Sequence, residues 1–152
     1  MNTVALWRSF EWKTLTLRWH ARCADPALTP AIVIRKAAAL LETRYLAVVK
    51  VSPNGDALRF RHSLGDISFR WLLMGRVTAT DRDGEVTVVA GGSVALLLLL
   101  PLVVCALLFV DHKPDAVVAA VAAVVLPAIA YVAYVATSDA LKELSADVVK
   151  PD

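Results

Sequence analysis

Hydrophobic residues are spaced in three ways along this chain, and each spacing implies a different element. Near the start they alternate. Between residues 10 and 22, Leu15, Leu17 and Trp19 fall on one side and Thr14, Thr16 and Arg18 on the other, the period of a strand. Asp25-Pro26 breaks that pattern. From Thr29-Pro30 the spacing becomes helical. Thr29 fits an N-cap, Pro30 fits the first helical position, and Ile32, Val33, Ala37, Leu40 and Leu41 form one stripe that Arg35 and Lys36 leave. A helix over 30–42 is expected, with a strand through 31–34 as the competing reading.

Four further strands are expected, at 44–51, 57–62, 67–80 and 85–90. The turns between them carry their own chemistry. Ser52-Pro53-Asn54-Gly55-Asp56 and Asp81-Arg82-Asp83-Gly84 supply the Asn-Gly and Asp-Gly pairs that tolerate positive φ. Leu64-Gly65-Asp66 is a weaker turn, and Gly75 can bend the long third strand. Gly91-Gly92-Ser93 reads as a joint leading out of the sheet.

The third spacing is no spacing at all. Residues 94–110 and 116–135 are two apolar runs without a charge, joined by Asp111-His112-Lys113-Pro114-Asp115. Each approaches the roughly 20 apolar residues that cross a hydrocarbon core, and the joint suits a tight turn. They predict a transmembrane helical hairpin. Beyond it, Leu141, Leu144 and Val148 give a short amphipathic helix over 138–149, capped by Ser138 or Asp139 if the chain breaks there. The expected protein is an α+β membrane protein. It has a β-α-β-β-β-β domain (1–93), a hairpin (94–136) and a C-terminal helix and tail (137–152).

Pro101 lies seven residues into the first span and Pro127 eight residues before the end of the second. At 1.5 Å per residue both sit roughly 10–12 Å deep in the same half of a bilayer. Each removes a backbone donor and crowds the carbonyl four residues earlier, so matched kinks are expected at Pro101 and Pro127.

Composition sharpens the location. Hydrophobic residues make up 58% of the chain, and the surplus lies in 94–136. Met1 to Lys13 has no apolar core of signal-peptide length. Thirteen of the 16 Lys and Arg residues precede the first run, Lys113 lies in the joint, and Lys142 and Lys150 follow. The positive-inside rule then places both termini in the cytoplasm, on a multi-pass protein of the inner (plasma) membrane.

Phe60-Arg61-His62, Ser68-Phe69, Gly75-Arg76-Val77 and the Gly84 hairpin feeding two apolar runs resemble a group of small uncharacterised bacterial membrane proteins. Those carry an Asn-Ser-Phe-x-Pro-x-x-x-Gly-Arg-Ile type segment in a β-meander before a transmembrane hairpin. Here Ile67 replaces the Asn and Trp71 the Pro. The resemblance spans about 44–136 and implies architecture alone.

Chemical signatures are sparse. His20 and Cys23 are three apart, but a zinc site needs about four ligands and no second pair exists. His62 and Asp66 flank a turn, and Cys105 lies within an apolar run. No nucleophile elbow or phosphate loop occurs, so neither an enzyme nor a cofactor or metal is expected. The apolar runs hold no ionisable group, which argues against transport. They do hold Ala116/Ala120, Ala119/Ala123 and Ala130/Ala133 at helix-packing spacing, and Tyr131 and Tyr134 suit a membrane interface.

The basic residues carry more. Residues 1–93 hold 13 Lys and Arg against eight Asp and Glu. Arg59 and Arg61 share a strand face, with Arg70 and Arg76 on the next strand, so these four are the candidate contacts to lipid or another anion. The expected function is a membrane-anchored, cytoplasm-facing binding or scaffold module, such as an accessory subunit of a membrane complex. The alternative is a surface sensor whose basic sheet binds anionic lipid or a small ligand, and an enzyme of unknown class comes third. The expected partners are membrane lipids and a membrane protein or a second copy of the chain, not nucleic acid.

Overall fold

The computed structural model describes residues 4–62, 74–111 and 115–150. Six antiparallel strands form one sheet: β1 (Ala5–Glu11), β2 (Thr16–Cys23), β3 (Ala47–Val51), β4 (Ala57–His62), β5 (Met74–Arg82) and β6 (Glu85–Ser93). Their spatial order is β1-β2-β6-β5-β4-β3. Three helices accompany them: α1 (Pro30–Arg44), α2 (Ala95–Asp111) and α3 (Ala116–Val148). The α+β class is as expected, but the order is β-β-α-β-β-β-β-α-α.

The extra strand is β1. The stretch read as one strand over 10–22 is the second half of a hairpin that turns at residues 12–15, with Leu15 at φ 47°. Glu11 pairs with Thr16 and Ala5 with Arg22. As an edge strand β1 buries little, so it carries no clean hydrophobic alternation.

Helix α1 forms where expected. Thr29 adopts an extended backbone and its hydroxyl accepts from the Ile32 N–H at 3.4 Å, while Pro30 needs no donor at the first position. The competing strand over 31–34 is excluded. The buried stripe is Val33, Ile34, Ala37 and Leu41; Ile34 takes the place given to Ile32, which is exposed. The helix reaches Arg44, so β3 starts at Ala47 rather than at 44.

The Asn54-Gly55 turn closes β3 onto β4, with Gly55 at φ 69° and the Ser52 N–H bonded to Ala57 O at 2.8 Å. Asp83 and Gly84, at φ 58° and 80°, make the two-residue turn between β5 and β6, whose primed twist suits a hairpin. The Leu64-Gly65-Asp66 turn and residues 67–73 of the long third strand lie outside the described residues. Gly91-Gly92-Ser93 is not a joint. It is the last turn-free stretch of β6, paired to β2 and β5. Gly75 opposes Phe60, and a Cβ there would stand 2.2 Å from the Phe60 ring and 2.4 Å from Gly91 O, so only glycine fits.

Both helices that touch the sheet pack on one face of it. Leu17, Ala21, Val77, Val88 and Ala90 from the strands meet Val33, Ile34 and Leu41 of α1 and Leu141, Leu144 and Val148 of α3 in one core. The apolar edge expected for a C-terminal helix is therefore correct, but that helix is not separate. It is the end of the 33-residue α3, which passes through Ser138 and Asp139 unbroken. Thr137 Oγ1 donates to Ala133 O at 2.9 Å and Ser145 Oγ to Leu141 O at 2.8 Å, so these hydroxyls are satisfied within the helix instead of capping one. Ser138 Oγ accepts from Trp19 Nε1 at 3.1 Å, and Lys142 Nζ lies over the Trp19 ring.

Among the described residues one helix, α3, is long and apolar enough to cross a membrane. Its most apolar window is only 6% buried, unlike the core helix of a soluble protein. Helix α2 is apolar and packs along α3, but its 17 residues rise about 25 Å, short of a hydrocarbon core of about 30 Å. The structure thus shows one spanning candidate where a two-helix transmembrane hairpin was expected.

Candidate functional site

The other face of the sheet has no helix on it among the described residues, and the register writes a charge pattern across it. Lys50 of β3 opposes Arg59 of β4, Arg59 opposes Arg76 of β5, Arg76 opposes Gly91 of β6, and Gly91 opposes Arg18 of β2. Directly opposed residues point to the same face, with Cβ atoms about 4.5–5.5 Å apart. Four cations therefore stand in one row across the strands, with a glycine between the third and the fourth.

Gly91 makes that row concave. A Cβ there would lie 3.3 Å from Arg18 Cγ and 3.4 Å from Thr16 Cγ2, so its absence leaves the floor open between Arg18 and Arg76. The hollow above it measures about 600 Å³. Arg18, Arg59 and Arg76 line it together with Thr16, Thr78 and Ser93. A second hollow of about 240 Å³ adjoins it, sharing Arg59 and Arg76 and adding Lys50.

The charges are unequally neutralised. Arg18 is paired with Glu11, and Arg22 with Glu85 at 3.6 Å. Among the described residues no carboxylate lies within ion-pair distance of Lys50, Arg59, Arg61 or Arg76. Like charges directly opposed across strands repel, so the Lys50–Arg59–Arg76 row costs stability that a bound anion would return. Guanidinium forks bind phosphate or carboxylate in two-pronged geometry, and hydroxyls complete such a shell.

His20 borders the same hollow. Its ring stacks on Trp7 at 5.0 Å and its Nε2 lies 2.7 Å from Ser9 Oγ. Burial, and then the neighbouring Arg18 charge, push its pKa below the ordinary 6.5. Cys23 is buried on the opposite, core face, where burial and Asp25 push its thiol pKa up. His20 and Cys23 thus lie on opposite faces of β2, and among the described residues no three His, Cys, Asp or Glu side chains form a metal cluster.

Of the basic residues singled out in the sequence, Arg59 and Arg76 come together in the hollow. Arg61 shares their face but lies opposite Met74, outside both hollows. Arg70, Asp66 and His112 lie outside the described residues. Lys50, Arg18 and Gly91 were missed. Lys50 could have been found by counting back from the Asn54-Gly55 turn, and Gly91 by counting on from Asp83-Gly84. Pro101 and Pro127 lie elsewhere, on the walls of one apolar groove. Both helices continue through them.

Comparison with protein families, with curated proteins and with solved structures gives no match for this chain.

Proposed function

We propose that this chain is a membrane-anchored binding module whose open sheet face takes the phosphate of an anionic lipid headgroup. The observation that carries this is the Lys50–Arg59–Arg76 row, unneutralised among the described residues and set beside the open floor at Gly91. Its position supports the reading. The hollow is lined at one end by Thr14, Thr16 and Ser93, and Val94 alone separates Ser93 from α2. The site thus lies at the end of the sheet from which the apolar helices depart. Lys or Arg near an anionic leaflet gains roughly 1 kcal/mol each, so three such residues suffice to bias lipid choice.

In this reading α2 and α3 form a two-pass hairpin in the inner membrane, turning at the Asp111–Asp115 link. Both termini face the cytoplasm, by the excess of basic residues before the first run. The module works by binding, without catalysis, cofactor or metal. The test is lipid retention. The full chain, extracted in mild detergent and offered equal phosphatidylglycerol and phosphatidylcholine, is expected to retain the anionic lipid and to release it as salt rises. Arg59→Gln with Arg76→Gln is expected to abolish the preference. Equal retention of both lipids by the wild type overturns the proposal.

A second reading, a scaffold or accessory subunit within a membrane complex, is favoured by one observation. Ala116, Ala120 and Ala123 are exposed on α3 at a spacing that lets another helix approach closely. Homo-oligomer cross-linking through a cysteine placed at position 120 tests it, and a purely monomeric product excludes self-association through this face.

A further inference from the structure

The groove that holds both prolines has a third wall that belongs to the sheet. Its volume is about 650 Å³, and beside Pro101 and Pro127 it is lined by Tyr131 and Tyr134 of α3 and by Phe10 and Trp12 of the β1–β2 hairpin. Phe10 and Trp12 meet edge to face at 4.7 Å, which stiffens the tip. Yet Trp12 is 79% exposed and Tyr131 69% exposed. A tryptophan and a tyrosine stand bare beside an open apolar groove, at the level where the sheet meets the helices.

The level can be calculated. The charge-free part of α3 starts at Ala116, and about 20 residues at 1.5 Å each fill a hydrocarbon core of about 30 Å, ending near Val135. The first charge after it is Asp139. Tyr131 then lies about 6 Å inside the hydrocarbon edge. Trp12 lines the same groove as Tyr131, so the hairpin tip reaches that edge too. Trp and Tyr are enriched at the membrane–water interface just outside this depth, where a ring meets the chains and a polar atom the headgroups. Lys13, exposed next to Trp12, can extend its amine to the headgroup phosphates.

We infer that the β1–β2 hairpin is an additional membrane anchor: Trp12 enters the interfacial layer, and a phospholipid acyl chain fills the groove between it and the two prolines. This rests on the reading of α3 as a membrane span. The occupant is lipid because the groove is apolar and lies along the part of α3 that this reading places in the bilayer. The anchor also has a consequence for the basic face. Thr14 and Thr16, on the same hairpin, line the basic hollow. Fixing the tip at the interface therefore holds that hollow at headgroup height.

Bromine quenching of tryptophan in reconstituted bilayers tests the inference on the full chain. Lipids brominated near the headgroup are compared with lipids brominated near the chain end. Wild-type protein is expected to show a quenched component with the shallow bromines, and Trp12→Phe is expected to lose it. Trp12 is too exposed for this change to disturb the core. Val124→Trp, at an exposed position midway along the apolar run, serves as the depth reference and is expected to add a component quenched by the deep bromines. Equal quenching of wild type and Trp12→Phe, with Val124→Trp quenched at depth, overturns the anchor and leaves the span standing. No deep quenching of Val124→Trp removes the span and the anchor together.

Discussion

The two faces of the sheet come from the same strands, residue by residue in alternation, yet they solve opposite problems. One face is apolar and covered: Leu17, Val77, Val88 and Ala90 lie against α1 and α3 with no exposed surface. The other carries Lys50, Arg59, Arg76 and Arg18 in a single row and is left open. The covered face is built to lower free energy. The open face tolerates like-charge repulsion in its own register. Unfavourable neighbours retained in a concave setting are what the proposed anion site would explain.

Substitutions can break this contrast, starting from the covered face. Leu141 is fully buried and its Cδ1 lies 3.4 Å from where a Gly92 Cβ would be, so Leu141→Ala is expected to cost about 2–5 kcal/mol in a detergent-unfolding titration. It should leave the lipid preference of the surviving folded fraction unchanged. Trp19→Phe removes the donor to the buried Ser138 hydroxyl and is expected to cost about 1 kcal/mol by the same measurement.

The open face should respond with the opposite sign. Arg59→Gln with Arg76→Gln removes two opposed cations and is expected to raise stability by about 0.2–1 kcal/mol while anionic-lipid retention is lost. A loss of stability in that double variant would show the row to be structural.

The smallest effect is a pH dependence. Burial and the Arg18 charge hold the His20 pKa in the fold below the ordinary 6.5. The unfolded chain therefore binds more protons just below pH 6.5, and stability falls as pH drops from there through the lowered native value. Lipid retention should move the other way, because protonated His20 adds a cation beside Arg18. His20→Gln is expected to flatten both trends. An unchanged pH profile of lipid retention in that variant would remove His20 from the site.

Much of the covered face was legible in the sequence because its signals are local. Thr29-Pro30 marks a helix start by capping chemistry, and Asn54-Gly55 and Asp83-Gly84 mark turns by the φ they permit. The errors arose where distant residues decide the outcome. β1 is an edge strand whose pairing to β2 sets its identity, so Leu6, Arg8 and Phe10 gave no usable alternation. Thr137-Ser138-Asp139 has the composition of a helix cap, but the Trp19 indole and the helix's own carbonyls take up the hydroxyls. The basic site was half legible. Period two puts Arg59 and Arg61 on one face, but which of them joins Arg76 and Arg18 depends on register across four strands. That register selected Arg59 and left Arg61 outside.

One connection has a mechanical consequence. The backbone passes from β6 to α2 with Val94 alone between them, its N–H bonded to Leu15 O at 2.9 Å, while α3 runs without interruption from the apolar stretch into the sheet core. There is no hinge at either crossing. In a bilayer that α3 crosses, any change of helix tilt turns the whole sheet through the same angle. The 33-residue helix is about 50 Å long, and with its apolar part in lipid it would be a lever whose short arm lies beneath the sheet. In such a bilayer a change of tilt would alter the inclination of the Arg59–Arg76 row to the headgroup plane.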